Sequence, residues 1–309
     1  MENTIYITII NIVIMLIAPF FVIGIIKKTK AFWGGRKGVS IFQPLYDTVK
    51  LFRKGQVISS TTTWIFDITP IVVFVTTIFA GLLVPMIASF SIINITGAFI
   101  IFAYILGFGK FFALISAMDT GSSFEGMGAS REACFTTIVE PAFFMILATI
   151  TALSGNFSFN AINNVLQNSG NFGILIIMFA VIALLIMLLT ECSRVPVDDP
   201  ITHLELTMIH EVMILDNSGI DLALLTWSCG IKMVILMSLI ANFIIPQQIG
   251  IYNQLFLFIA VFVLLSLLIG TIESAMARIR MSHVFEFIFI MSSLALVIAS
   301  LAAVKLYGV

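Results

Sequence analysis

Residues 4–26 read T-I-Y-I-T-I-I-N-I-V-I-M-L-I-A-P-F-F-V-I-G-I-I, from Thr4 to Ile26, with no charged side chain. Wound as a helix at about 1.5 Å per residue, such a run crosses the roughly 30 Å hydrocarbon core of a bilayer. It is longer than the apolar core of a signal peptide, and no basic leader or small-residue cleavage site accompanies it, so it is expected to stay in place as a first helix. Seven further apolar runs, separated by Gly, Pro or charged clusters, fall at about 65–88, 92–115, 132–154, 173–190, 222–244, 252–272 and 284–306. The expectation is an all-α membrane protein with eight transmembrane helices, forming a single polytopic membrane domain over residues 1–309.

Composition agrees with that reading. Of the 309 residues 60% are hydrophobic and 10% charged, with a mean hydropathy of +1.15, whereas a soluble domain carries about a quarter charged residues. Eight spans leave no room for a soluble domain of ordinary size. A net charge of −1, without a basic domain, speaks against nucleic acid as a partner. Cys134, Cys192 and Cys229 lie far apart without a C-x-x-C pair, so this chain alone is expected to hold neither a disulfide framework nor an iron–sulfur cluster.

The distribution of charge gives the orientation. Eight of the 15 basic residues (Lys27, Lys28, Lys30, Arg36, Lys37, Lys50, Arg53, Lys54) lie in or beside the first loop. Threading eight spans from there puts Arg131, Arg194, Arg278 and Arg280 on the same side. By the positive-inside rule that side is cytoplasmic, and both termini are outside.

Two loops on that side carry organisation. In the first, Pro44 suits an initial helical position, Leu45, Val49 and Phe52 fall at i, i+4 and i+7, and Gly55 follows Arg53 and Lys54 as a stop. The pattern predicts a short amphipathic helix in the first cytoplasmic loop, lying against the membrane or a groove, with Asp47 and Lys50 placed to pair. Attraction to anionic lipid and docking of another subunit are both open readings of this loop. In the third, Glu191 to Asp216 contains eight acidic or histidine residues (Glu191, Asp198, Asp199, His203, Glu205, His210, Glu211, Asp216) and one base, Arg194. The stretch from Leu204 to Leu215 is apolar enough to predict a helix tucked partly into the protein. His203 and His210 lack the H-E-x-x-H spacing of a zinc helix; a proton or ion relay through carboxylates and imidazoles partly removed from water and a hydrogen-bonded structural loop are both open readings.

Two charges lie deep within spans. Glu140 and Lys232 each fall about nine or ten residues from the cytoplasmic end, hence at matching depth. Each costs about 2.5 to 3.5 kcal/mol near the bilayer centre, so both are expected to face the interior and to pair or share a hydrated cavity. Asp67 and Glu286 read as carboxylates complementing helix N-termini, and Lys110 as a lysine reaching the headgroups.

At these residues the sequence resembles a known family: subunit 1 of NADH:quinone oxidoreductase (the H subunit of the bacterial enzyme) and its homologues in energy-converting membrane-bound [NiFe] hydrogenases and formate hydrogenlyase. Arg36-Lys37-Gly38 followed by Gln43-Pro44, Asp47 and Lys50-Leu51 resembles the family's first cytoplasmic loop. Glu191-x-x-Arg194-x-Pro196-x-Asp198 and Glu205-Leu206 resemble its acidic third loop. Arg131-Glu132-Ala133, Glu140-Pro141 and the stretch from Pro200 to Glu211 are closest in character to the hydrogenase branch.

The resemblance implies a membrane anchor in a prokaryotic cytoplasmic membrane. A hydrogenase large subunit and an iron–sulfur small subunit would dock onto it, with antiporter-like membrane subunits alongside. It implies that the [NiFe] and iron–sulfur clusters sit in those partners and that no cofactor is bound by this chain alone. Arg36, Lys37, Gln43, Asp47, Lys50 and Arg53 would meet the peripheral arm. Glu140, Glu191, Arg194, Asp198 and Glu205 would carry proton or ion coupling; Glu211 and Lys232 join them on local chemistry and depth. A quinone-site subunit of a respiratory NADH dehydrogenase and a self-sufficient ion transporter are the alternatives.

Overall fold

The computed structural model describes residues 2–87, 91–155, 159, 170–199, 208–246 and 249–307. Among these, eight helices are long and apolar enough to cross a membrane. The first, α1 (Glu2–Trp33), runs seven residues past the apolar stretch that starts it. Its extra turns are held from within the protein: Lys30 finds a carboxylate on a distant helix, and the Thr29 hydroxyl donates to the Ile25 carbonyl at 2.8 Å. Gly35 then ends it at φ 65°, the left-handed conformation that glycine adopts without cost, while the Gly34 and Arg36 N–H groups donate back to Lys30 and Ala31.

The amphipathic helix α2 (Gln43–Phe52) forms where the first loop predicts it, with proline in its opening turn. Pro44 and Thr48 are buried against the bundle, and Leu45, Val49 and Phe52 form an outward stripe with 37%, 43% and 39% exposure. Asp47 accepts from Gln43 Nε2 at 2.8 Å rather than meeting Lys50. The strand of chain leading into α2 crosses α1 so closely that a side chain at Gly24 would collide with the Ile41 carbonyl.

The bundle continues with α3 (Trp64–Leu83), α4 (Ala98–Asp119) and α5 (Ser123–Ser154). Next come α6 (Gly170–Glu191), the one-turn α7 (His210–Met213), α8 (Gly219–Ile244), α9 (Ile251–Ala275) and α10 (Met281–Tyr307). Helix α5 starts nine residues before the predicted 132, because Ser123 to Arg131, rich in small and polar residues, is nonetheless packed: Gly128 lies against Val212 and Met213, and the Glu125 carboxylate accepts the Asp216 N–H at 2.9 Å. The predicted helix over 204–215 is realised as α7 at its end, and residues 200–207 lie outside the described residues.

Helix α8 is the hub, packing on α1, α2, α3, α6 and α9. Its core face from Ile231 to Ala241 is almost wholly buried. Gly230 lets it approach α1 at Pro19, and Trp227 Nε1 donates to the Leu16 carbonyl at 3.1 Å, beside the gap that the proline leaves in the helical ladder. The face carrying the first loop is stitched by polar contacts. Asp119 accepts from the Thr63 N–H at 2.7 Å, the Val57 N–H donates to Ser218 at 2.8 Å, and Gln56 donates to Asp221.

Candidate functional site: a buried chain of carboxylates and bases

Glu191 closes α6 by entering the interior instead of meeting water. Its Oε1 lies 2.6 Å from Lys110 Nζ on α4 and its Oε2 lies 2.7 Å from Lys232 Nζ on α8, so one carboxylate joins three helices. Lys110 also lies 3.6 Å from Glu132 Oε1 on α5 and donates to Thr136 Oγ1 at 3.1 Å. Glu140, roughly two turns further along α5, is within electrostatic reach of Lys110, Glu191, Lys232 and Glu132. Three carboxylates thus face two ammonium groups. Such a cluster becomes neutral by taking up one proton, and a low-dielectric interior favours the neutral state.

Lys232 faces the interior as its depth predicts, while Glu140 is half-buried and lines neither of the two cavities that flank the charges. The carboxylate paired with Lys232 is Glu191, while Glu140 lies within electrostatic reach of that pair. Lys110 corrects the expectation of a headgroup lysine: its side chain is 10% exposed and it bridges Glu132 and Glu191.

A second cluster lies nearer the first-loop face. Glu273, close to the end of α9, is 1% exposed at its side chain and meets Lys30 Nζ at 2.9 Å and Arg194 Nη1 at 3.4 Å. A third is built on the loop after α6. Asp198 Oδ1 meets Arg278 Nη2 at 3.1 Å and accepts the Asp199 N–H at 3.0 Å, and Oδ2 accepts the N–H groups of Ile209 at 3.0 Å and His210 at 3.2 Å. Burial pushes the Asp198 carboxyl above the ordinary aspartate range, against the pull of Arg278 and the N–H donors. Burial likewise raises Glu211, with His210 opposing it. The Ile279 N–H donates to the Pro196 carbonyl at 3.0 Å and ties this loop to the α9–α10 connection.

Two cavities flank the charges. One of about 70 Å³ is lined by Lys110, Glu132, Glu191 and Lys232. The other, of about 270 Å³, lies between α1, α2 and α8 and is lined by Lys30, Asp47, Arg194, Glu211 and Glu273. Of the predicted coupling residues, Glu191 and Lys232 meet in the first cluster with Glu140 in electrostatic reach, while Arg194, Asp198 and Glu211 surround the loop after α6. Glu205 and His203 lie outside the described residues. Arg36, Lys37, Asp47, Lys50 and Arg53 are exposed on the first-loop face and Gln43 is half-buried beside them.

Sequence reasoning missed Lys30, Lys110, Glu132, Glu273 and Arg278 as members. For Lys110 and Glu273 the available signal was their solitude, single charges beside long apolar runs; Lys30, Glu132 and Arg278 each stand within two residues of another charge and carried no such signal. Among the described residues, no group of three or more His, Cys, Asp or Glu side chains is placed to hold a metal ion.

These features define a polytopic helical membrane protein organised around a buried carboxylate–lysine network. A family model described as NADH dehydrogenase matches residues 5–304, and the chain belongs to that family. It is 28% identical over 235 residues to hydrogenase-4 component C of Escherichia coli (strain K12), covering 76% of this chain and 73% of that protein. It is 25% identical over 282 residues to formate hydrogenlyase subunit 4 of the same organism, covering 87% of this chain and 89% of the relative. The fold is also that of a chain in the membrane-bound sulfane sulfur reductase, an archaeal respiratory membrane complex, with a TM-score of 0.81, 21% identity and coverage of 97% of this chain and 99% of that one.

Proposed function

We propose that this chain is the membrane anchor and coupling subunit of a membrane-bound [NiFe] hydrogenase of the formate hydrogenlyase or energy-converting type. The observation that carries the reading is the set of buried charges extending from Lys110, Glu132, Glu140, Glu191 and Lys232 to Arg194, Glu273 and Lys30. Buried charges are stabilised only by their partners, so a change of charge at one end alters proton affinity at its neighbours. In this reading Glu140, Glu191, Arg194, Asp198, Glu205, Glu211 and Lys232 transmit redox events to ion movement. Arg36, Lys37, Gln43, Asp47, Lys50 and Arg53 hold the peripheral arm. A hydrogenase large subunit and an iron–sulfur small subunit carry the [NiFe] and iron–sulfur clusters, and antiporter-like membrane subunits move protons or sodium. The chain lies in a prokaryotic cytoplasmic membrane, as one polytopic domain with the first loop inside and both termini outside.

The relatives in hydrogenase-4 and formate hydrogenlyase support this branch. A second reading, a quinone site, is favoured by one feature: the cavity of about 270 Å³ beside α2, walled by Phe20, Trp227 and Ile23 as well as by charges. Copurification after mild detergent extraction separates the two. A nickel-containing partner with hydrogen-linked activity is expected; quinone-dependent NADH oxidation in a nickel-free assembly would replace the first reading with the second.

A further inference from the structure

His210 and Cys229 stand in the partition between the two cavities. His210 opens α7 at the first-loop face, and Cys229 lies one turn before Lys232 on α8. Each lines both the smaller cavity and the larger one. The imidazole and the thiol are within interaction range of each other. Glu132 from α5, Arg194 after α6, Lys232 on α8 and Glu211 beside His210 act electrostatically on the pair, and Lys110, Glu191, Lys27, Lys30, Asp47 and Glu273 line the same two cavities. A second thiol, Cys192, lies next to Cys229, and burial holds it protonated well above the usual thiol range. A partition that only sealed the two spaces would need no more than aliphatic groups such as Ile214, which also borders both cavities. Here the seal includes two neighbouring side chains that can each take up and release a proton.

We propose that the His210–Cys229 pair is a proton gate joining the first-loop cavity to the cavity that holds the carboxylate–lysine cluster. The proposal deepens the coupling function above and rests on it. One proton enters the imidazole from the larger cavity, from Glu211 or water. The Cys229 S–H proton leaves on the other side, to the Glu132 carboxylate or to water beside it. The imidazolium then reprotonates the sulfur, so one proton has crossed, no electron has moved, and both side chains are restored. The transient thiolate is stabilised by Lys232, Arg194 and the imidazolium itself. Neither residue alone completes the path, because the proton must pass between two groups that face each other.

The test is the number of protons moved per redox turnover by the assembled complex in proteoliposomes, read with a pH-sensitive dye. Cys229→Ala is expected to lower it by about tenfold or more, as loss of a positioned proton-transfer group does. Cys229→Ser, which keeps a hydrogen-bonding hydroxyl of similar size, is expected to retain clearly more than Cys229→Ala. Equal loss in both variants would assign Cys229 to packing and overturn the gate. Glu140→Gln, run in parallel, separates the two levels: wild-type pumping in Cys229→Ala alone overturns the gate and leaves coupling standing, whereas wild-type pumping in both removes the coupling function. If Cys229→Ala does not assemble, the infrared S–H stretch of Cys229, isolated as the band present in wild type and absent in Cys229→Ser, is expected to change with pH in step with the imidazole bands. A band that stays fixed while the imidazole titrates would overturn the gate.

Discussion

The interior of the bundle and the first loop hold the same residue types in opposite circumstances. In the interior, Lys110 and Lys232 close on Glu191 from two sides within 2.7 Å and are largely removed from solvent. In the first loop, Arg36, Lys37, Lys50 and Arg53 are exposed. Desolvation makes the difference. A buried charge whose partner is removed has no water to replace it, while an exposed one keeps its hydration and contributes little to the fold. The interior charges therefore hold the helices together and sense one another, and the loop charges are free to meet another surface.

The sharpest way to test that contrast is to remove the shared carboxylate. Glu191→Leu leaves two buried ammonium groups facing each other, and the expected loss is about 3 to 5 kcal/mol, read as a fall in the thermal unfolding transition of the purified protein in detergent. A transition equal to wild type would mean that water reaches the lysines and that the interior resembles the loop.

A smaller effect is expected at Glu211, where burial raises the carboxyl above its ordinary value of 4.5. The folded protein therefore holds that proton over a range where the unfolded chain has lost it. Stability from this group is present below 4.5 and is lost as pH rises through the raised folded value. Glu211→Gln should gain on wild type as pH rises through that window, by no more than about 1.4 kcal/mol per pH unit. A pH-independent difference between the two proteins would place Glu211 in water.

The least effect on the fold is expected in the first loop. The double reversal Lys50→Glu with Arg53→Glu should shift stability by less than about 0.5 kcal/mol while releasing the soluble partners from purified membranes. Partners that stay attached in high salt would make this loop a lipid contact instead.

The same contrast explains what was legible in the sequence. Hydropathy located the eight spans because burial in lipid acts on each segment separately, and α2 was legible because its Pro44 and apolar spacing are local. The start of α5 was not: Gly126, Gly128 and Ser130 are poor helix signals, and what holds that turn is Glu125 and Gly128 meeting a loop that lies distant in sequence. The depths of Glu140 and Lys232 could be counted along each helix, but the partner of Lys232 depends on how α6 packs against α8. Lys110 looked interfacial because the predicted span stopped at 115, four residues short of the observed end at Asp119. Its pairing with Glu191 is a property of the assembled bundle.

The most direct measurement is the number of ions moved per redox turnover by the assembled complex carrying Glu140→Gln. Glu140 is within electrostatic reach of the Lys110–Glu191–Lys232 bridge and is no part of its ion pairs, so assembly should survive while the exchangeable carboxyl is lost. Ion movement per turnover should fall about tenfold or more. Wild-type stoichiometry in a fully assembled Glu140→Gln complex would contradict the claim that these buried charges couple redox chemistry in neighbouring subunits to ion transport.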